Sequence, residues 1–272
     1  MSLPSPTPSG TAVVTGASSG IGEQIACQLV RRGYGVTLVA RRADRLETLA
    51  AELQRGSGKV RVEVLAADLA DRAARADLPA RIEQLGLTVD ILVNNAGLST
   101  SGPVSKADPA AELNMVEVDV AAVVDLTTRF LPGMVERRRG TLLNVASTAA
   151  FQPLPGQAGY AAGKAFVLSY GRALAGELIG TGVGVTVVCP GPVETEFNEV
   201  AGISDEQAKT LPSFMWVSAE AVAKAAVHGM DRGTLVVIPG PANRLGAMAA
   251  NLAPKRFLVP MLAKGHPTLK DS

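Results

Sequence analysis

The chain has few cysteines, few aromatic residues and almost no net charge, and each shortage excludes a class of protein. Its two cysteines, Cys27 and Cys189, are too few for a disulfide framework and show no metal-ligand spacing, so we expect no metal site. A net charge of +1 over 272 residues gives no sign of a nucleic-acid-binding surface. No apolar run approaches about 18 residues, so the sequence predicts no transmembrane segment.

The first ten residues lack both the positively charged region and the apolar region of a signal peptide. We therefore expect residues 1–10 to be a disordered lead. Together with the scarcity of cysteine, this absence favours a cytoplasmic protein.

The composition that remains is typical of an α/β protein. Aromatic residues make up 4% of the chain while hydrophobic residues make up 47%, so the core must consist mainly of aliphatic side chains. Short apolar strand patterns alternate with helical patterns from Thr11 to Ile238, which predicts a three-layer, doubly wound parallel sheet. We assign residues 11–240 to this single domain and residues 241–272 to a helical C-terminal extension of it.

A glycine-rich stretch, Thr15-Gly-Ala-Ser-Ser-Gly-Ile-Gly22, separates the first predicted strand from the first predicted helix. Its glycines allow a sharp turn and a close approach of a pyrophosphate, and the N–H groups that begin the helix bind phosphates. A merely structural turn is the alternative. The strand-to-helix context favours nucleotide binding.

The end of the second predicted strand indicates which dinucleotide is bound. An acid about 20 residues beyond the glycine turn binds a ribose 2′-hydroxyl, whereas an arginine accommodates a 2′-phosphate. Arg41 and Arg42 occupy this place, which favours NADP(H) over NAD(H). Arg42 as a solvated surface charge is the alternative, and the nearby Asp44 is predicted to be a helix N-cap.

Tyr160 and Lys164 are four residues apart on a predicted helix, so their side chains share one face. An ammonium group beside a phenol favours the phenolate, and we expect Lys164 to move the Tyr160 pKa toward neutrality. A tyrosine tuned in this way is a general acid or base. A chance Tyr/Lys pair is the alternative.

Taken together, these motifs resemble the short-chain dehydrogenase/reductase family. The resemblance covers roughly residues 10 to 195 and rests on the order and spacing of five motifs. They are Thr15-Gly-Ala-Ser-Ser-Gly-Ile-Gly22, Asn94-Asn-Ala-Gly97, Ser147, Tyr160-Ala-Ala-Gly-Lys164 and Pro190-Gly191. It implies a Rossmann-type fold, a nicotinamide cofactor, hydride transfer between that cofactor and a small-molecule carbonyl or alcohol, and a homodimer or homotetramer.

The resemblance also implies residue roles. Tyr160 exchanges the proton, Ser147 binds the reacting oxygen, and Lys164 lowers the tyrosine pKa and holds the nicotinamide ribose. The implied cofactor-binding residues, besides Tyr160 and Lys164, are Gly16, Ser18, Ser19, Gly20, Ile21, Gly22, Arg41, Arg42, Asp68, Leu69, Asn94, Ala96, Gly97, Pro190, Gly191, Val193 and Thr195.

One position departs from the family pattern. Family members usually carry an asparagine on the helix after Asn-Asn-Ala-Gly, where it positions the lysine through water. That place falls on Asp119, whose charge would partly cancel the lysine field and raise the Tyr160 pKa. Asn114, five residues earlier, is the alternative.

Two segments remain open. The substrate loop, about residues 192–217, concentrates bulky apolar residues and is predicted either to cover an apolar or amphipathic substrate or to cover the core. The C-terminal extension has three open roles: rimming the cleft, contacting another subunit, or lying on a membrane surface.

Two rivals to the reductase are a catalytically impaired NADP(H)-binding sensor or scaffold of the same fold, and a dehydratase or epimerase.

Overall fold

Seven parallel strands form the centre of the molecule in this computed structural model, which describes residues 3–57, 60–194, 212–265 and 269. The strands follow the order β3-β2-β1-β4-β5-β6-β7. Their bounds are β1 Gly10–Thr15, β2 Gly35–Ala40, β3 Val62–Ala66, β4 Thr88–Asn94, β5 Gly140–Val145, β6 Val183–Val188 and β7 Val236–Val237. The predicted doubly wound parallel sheet is therefore confirmed.

Helices connect the strands and cover both faces of the sheet. Those that carry labels here are α1 Gly20–Arg31, α2 Ala43–Ser57, α3 Arg72–Gln84, α4 Pro109–Val116, α5 Ala122–Glu136, α6 Ala158–Glu177, α7 Ala219–Asp231, α8 Pro241–Leu252 and α9 Lys255–Gly265. The strand order reverses between β1 and β4, so the loops at the carboxyl ends of these strands diverge there. Ligands of open α/β sheets bind in the crevice this creates.

Two aliphatic core layers sandwich the sheet. Ile25 of α1 and Leu46 of α2 belong to the layer on one face, which α7 completes. Leu78 of α3, Leu126 of α5 and Leu174 of α6 belong to the layer on the other face. On each helix the buried apolar side chains recur every three or four residues, and the positions between them face solvent. This spacing is why the helices could be predicted from the sequence.

A π-helical turn, Glu117–Ala121, joins α4 to α5. Such a turn inserts one residue into the helical path and turns the side chains that follow it, and π-turns are frequent at functional sites. Here the turn carries Asp119, which lies at its middle and is buried.

Two expectations about the ends of elements were wrong. Helix α2 begins at Ala43, so Asp44 lies inside its first turn, where a carboxylate favours the helix dipole, rather than at the N-cap. The expected disorder of the lead does not extend to Leu3, which is buried, or to Pro4, whose carbonyl accepts a 2.8 Å hydrogen bond from the Tyr34 phenol. These contacts seat the lead against the protein.

The C-terminal extension forms two helices, α8 and α9, interrupted at Ala253 and Pro254 as the proline predicts. Within the described residues, no helix has both the length and the apolarity to cross a bilayer. Within the same residues, no three His, Cys, Asp or Glu side chains form a group suited to a metal ion.

Candidate active site

The glycine turn after β1 leaves no room for side chains. Gly16 has a positive φ of 63°, and a Cβ added there would lie 2.8 Å from the Asn95 amide nitrogen. A Cβ at Gly22 would meet the same amide and the carbonyl oxygen of Gly16. The turn therefore packs against the loop after β4, and its N–H groups at the start of α1 stay open to an anion.

Thr15 and Asn95 hold the turn and the β4 loop together. The Thr15 hydroxyl donates to the Val93 carbonyl at 3.0 Å and accepts from the Asn95 N–H at 2.9 Å. The Asn95 amide donates to the Thr15 carbonyl at 2.8 Å. Asn94 points elsewhere, since its amide donates to Asn144 of β5 and to Thr127 of α5. Asn95, which no role was predicted for, is thus the asparagine that supports the glycine turn.

Arg42 lies across the glycine turn. Its guanidinium donates to the Ser18 hydroxyl at 2.9 Å and to the Ser19 hydroxyl at 2.9 Å. Arg41 is exposed at the same strand end. A cation and two hydroxyl groups beside a helix N-terminus form a site suited to a phosphate monoester.

The remaining predicted cofactor residues line the carboxyl edge of the sheet. Asp68, at the end of the loop after β3, accepts a hydrogen bond from the Ala70 N–H at 3.0 Å, and Leu69 beside it is buried. Pro190 accepts from the Thr148 N–H at 2.8 Å, which fixes the turn after β6 against the loop after β5. Thr195 lies outside the described residues.

Ser147, Tyr160 and Lys164 come together at the carboxyl end of β5. Ser147 caps the short 3-10 helix Thr148–Phe151, and its hydroxyl accepts from the Ala149 N–H at 3.1 Å. The hydroxyl groups of Ser147 and Tyr160 are hydrogen-bonded. The Lys164 ammonium lies 5.6 Å from the centroid of the Tyr160 ring. The structure thus brings the three predicted residues into one cluster.

Lys164 forms a direct ion pair with Asp119. Its Nζ lies 2.9 Å from Asp119 Oδ2, and both side chains are almost completely buried. The second carboxylate oxygen, Oδ1, accepts from the Leu98 N–H at 2.6 Å. Asn114 is exposed on α4, so the alternative assignment was wrong. The position that the sequence analysis matched to the family's asparagine, Asp119, is the one that contacts Lys164, and this contact is direct.

Arg75 anchors the π-helical turn that carries Asp119. The guanidinium is 2% exposed and lies 3.1 Å from Glu117 Oε2 and 2.9 Å from Asp125 Oδ2. It also donates to the carbonyl of Leu69, one of the predicted cofactor-binding residues. One buried cation therefore links the loop after β3 to the first residue of the π-helical turn and to α5, which follows the turn.

Gly97 makes room for the ion pair. A Cβ at this position would lie 3.0 Å from Lys164 Nζ and 3.3 Å from Asp119 Oδ1. The absence of a side chain at Gly97 therefore leaves space for the Lys164 ammonium and the Asp119 carboxylate.

The pKa of Tyr160 is above its ordinary value, which corrects the expectation that Lys164 would bring it toward neutrality. Burial raises the pKa most, the Lys164 ammonium and the Ser147 hydrogen bond lower it, and the Asp119 carboxylate raises it again. Since burial outweighs the lysine field and Asp119 offsets part of that field, the phenol keeps its proton at neutral pH.

The pKa of Lys164 also depends on burial and on the charges of its neighbours. Burial is the largest influence and lowers the pKa of Lys164, but the charge and hydrogen bond of Asp119 together with the nearby Tyr160 and Cys189 raise it above its usual value. The lysine is therefore charged at neutral pH. Cys189 lies nearby, and burial raises the pKa of its thiol to about 12, which makes it an unreactive core residue.

Helix α8 packs on the turn after β6. Asn243 is buried, and its amide donates to the carbonyls of Met215 at 2.9 Å and Pro239 at 3.2 Å. A Cβ at Gly191 would collide with the Asn243 side chain. Asn243 was not predicted, because an asparagine in an apolar tail carries no motif.

An apolar groove of about 530 Å³ lies next to the cluster. Ala158, Ala161, Ala162 and Ala165 of α6 line it, together with residues 150–155. These alanines share one face of the helix, and Tyr160 and Lys164 lie on the other. The groove is therefore separate from the reacting groups.

Comparisons with known proteins agree with this site. The family model described as short chain dehydrogenase matches residues 10–205. An NADP-dependent 3-hydroxy acid dehydrogenase of Salmonella typhi is 36% identical over 78% of this chain and 86% of its own. A very-long-chain 3-oxoacyl-CoA reductase of Anas platyrhynchos is 35% identical over 79% of this chain and 67% of its own.

The solved structures agree as well. A short-chain dehydrogenase from Sphingobium yanoikuyae in complex with NADPH superposes with a TM-score of 0.79 at 36% identity, covering 88% of this chain and 92% of that one. The chain spans 51 to 67% of the length of the first three curated relatives that it matches. With the Ser147, Tyr160 and Lys164 cluster in place, the chain belongs to the short-chain dehydrogenase family.

Proposed function

We propose that the protein is an NADP(H)-dependent oxidoreductase that acts on a carbonyl or alcohol group of an apolar or amphipathic substrate. The observation that carries the proposal is the Ser147–Tyr160 hydrogen bond beside the buried Lys164 ammonium. This arrangement holds a proton donor and a second hydroxyl group at one point, where a carbonyl oxygen fits between them.

The residues of the glycine turn fit a dinucleotide. Gly16 and Gly22 let the turn pack closely against the loop after β4, and the N–H groups at the N-terminus of α1 are suited to bind a pyrophosphate. Arg42, already held by Ser18 and Ser19, supplies the charge for a 2′-phosphate. Nearby Arg41 adds a second cation, so we assign NADP(H) as the cofactor. When bound, its nicotinamide ring supplies or accepts the hydride.

Side chains of the protein itself transfer the proton. Tyr160 donates its phenolic proton to the carbonyl oxygen as negative charge develops there, and Ser147 donates a hydrogen bond to the same oxygen. Lys164 stabilises the phenolate that remains. Because the Tyr160 pKa is raised, Tyr160 is a phenol at neutral pH, which is the form that donates the proton in reduction.

The substrate class is inferred from the residues around the cleft and from the relatives. Phe214 is exposed and Trp216 half-buried on the segment that Asn243 ties to α8. The names of two relatives, a 3-hydroxy acid dehydrogenase and a very-long-chain 3-oxoacyl-CoA reductase, support an oxygen function on a carbon chain. We further propose a cytoplasmic homodimer or homotetramer, with the exposed Phe166 of α6 at the contact between subunits.

The experiment follows NADPH absorbance with a panel of ketones, aldehydes and 3-oxoacyl thioesters. Tyr160→Phe should keep NADPH binding, measured by fluorescence, and lose turnover at least about a hundredfold. Tyr34→Phe is the matched control, because its phenol bonds only the N-terminal lead among the contacts that the structure describes, and it should keep full turnover. Near-normal turnover in Tyr160→Phe would reject the mechanism. NADPH binding without turnover on any substrate would favour the sensor or scaffold.

A further inference from the structure

Helix α8 is apolar on two opposite faces. Asn243, Ala247 and Ala250 lie on its inner face and are buried. Leu245, Met248 and Leu252 are three and four residues apart and fall on the opposite face, where they are 70%, 55% and 81% exposed. A surface helix normally presents polar side chains there. This outer face therefore has the composition of a contact surface.

The next helix in the chain and a 3-10 helix that contacts α8 also carry exposed apolar side chains. Phe257 and Met261 of α9, one turn apart, are 64% and 62% exposed. Phe214, on the 3-10 helix Ser213–Met215 that contacts α8, is 72% exposed. Exposed large apolar residues that occur singly are ordinary, whereas contiguous ones mark interaction sites.

The charges on these two helices all have one sign. Residues 241–265 contain four cations, Arg244, Lys255, Arg256 and Lys264, and no Asp or Glu, although the whole chain has a net charge of only +1. All four side chains are exposed. The Arg256 guanidinium lies 4.7 Å from the centroid of the Phe257 ring, so cationic and apolar groups share the surface.

We propose that this C-terminal surface, defined by Leu245, Met248, Leu252, Phe257, Met261 and the four cations, docks on a membrane that contains anionic phospholipids. Helices with exposed Leu and Phe between Lys and Arg lie in the plane of the headgroups, where the apolar groups insert and the cations meet the phosphates. Such docking is interfacial and requires no spanning helix.

A second copy of the chain fits this surface less well. A symmetric contact presents the same patch on both subunits, so it would bring four cations against four cations with no acid on α8 or α9 to pair with them. An anionic lipid surface supplies the missing charge. The sign of the charge therefore decides between the two occupants.

Helix α8, which carries this surface, packs against the turn after β6. The proposal for the surface does not depend on the proposed reaction. Asn243, on the inner face of α8, packs against Gly191 and bonds the Met215 carbonyl. A membrane bound to the outer face would thus lie one helix away from the turn after β6. An apolar substrate dissolved in the lipid would have a short path to the cleft.

The test is cosedimentation of the full chain with vesicles of phosphatidylcholine alone or mixed with about a third of phosphatidylserine. The protein should bind the anionic vesicles and not the neutral ones, and added salt should weaken binding. Arg256→Gln combined with Lys264→Gln should weaken binding roughly 25-fold, since each basic residue near an anionic surface contributes about fivefold. Leu245→Ser combined with Leu252→Ser should also weaken it.

Ile179→Ser is the matched control, because Ile179 is 82% exposed at the end of α6 and should leave vesicle binding unchanged. All substituted side chains are exposed, so melting temperatures should stay at the wild-type value. Equal binding to neutral and anionic vesicles, or wild-type binding by both double variants, overturns the proposal. A change of oligomeric state in the leucine variant, by light scattering, with vesicle binding intact, assigns the surface to a second copy and also overturns it.

Discussion

Replacing Asp119 by asparagine would keep the shape of the buried site and remove one negative charge from beside Lys164. The Asp119 carboxylate pairs with the lysine at 2.9 Å and accepts from the Leu98 N–H. An asparagine oxygen can still accept that N–H. The substitution therefore tests the charge of this residue separately from its position.

The size of the effect follows from the distances. Lys164 Nζ lies 5.6 Å from the Tyr160 ring centroid and 2.9 Å from Asp119 Oδ2, so the carboxylate is within about 8.5 Å of the ring. At an effective dielectric constant of about 20, a unit charge at this distance changes the free energy of the phenolate by about 2 kcal/mol. The Tyr160 pKa should therefore be lower in Asp119→Asn than in the wild type.

The assay is the pH dependence of kcat/KM in both directions. Oxidation needs Tyr160 as phenolate and rises with pH through its pKa, whereas reduction needs the phenol and falls above it. Asp119 raises that pKa, so removing its charge should move both limbs to lower pH. At neutral pH the variant should oxidise alcohols faster than the wild type.

Two control measurements separate the effect of the charge from other effects of the substitution. Asp108→Asn is the matched control, because Asp108 is an exposed N-cap of α4 and asparagine caps equally well, so its pH profile should stay unchanged. A thermal melt of Asp119→Asn detects damage to the fold. An unchanged profile would show that the carboxylate has no effect on the phenol. An upward shift would show that Lys164 needs Asp119 to stay protonated, and either result refutes the reasoning.

Three further substitutions test the surrounding residues. Arg42→Ala should lower the preference for NADPH over NADH by about 10- to 150-fold in kcat/KM, the range for a lost charge-assisted hydrogen bond, while Arg55→Ala on α2, the helix that follows Arg42, should leave it unchanged. Gly97→Ala should displace the Lys164 ammonium and lower single-turnover rates roughly tenfold or more; wild-type rates would contradict the steric role. Arg75→Leu should lower the free energy of unfolding in urea by about 3–5 kcal/mol, and a loss under about 1 kcal/mol would contradict its anchoring role.

Much of the fold could be predicted because local patterns encode it. The second predicted strand ends at Ala40, directly before Arg41 and Arg42, as the charges that follow it indicate. Ser218 shows the same local encoding, because serine is a preferred N-cap and its hydroxyl accepts from the Ala221 N–H at the start of α7. Asp44 was misplaced, because an aspartate near a helix start serves equally as a cap or in the first turn.

The supporting residues of the site could not be predicted, because their partners are distant in sequence. Asn95 acts on a turn 80 residues earlier. Arg75 reaches Glu117 and Asp125 across two helices, and its own helix gives no hint that it is buried. A motif records the residues that meet a ligand. The residues that hold the motif depend on tertiary packing, which one sequence does not display.

The spacing of Tyr160 and Lys164 predicted their proximity but not the protonation of the phenol. The four-residue interval fixes the distance through helix geometry alone. The pKa depends also on burial and on the charge of Asp119, which reaches the lysine from the π-helical turn at a separation of 45 residues. Burial outweighs the field of the lysine, and Asp119 offsets part of that field, so the phenol stays protonated. The acid that holds the lysine therefore also weakens the effect of the lysine on the phenol.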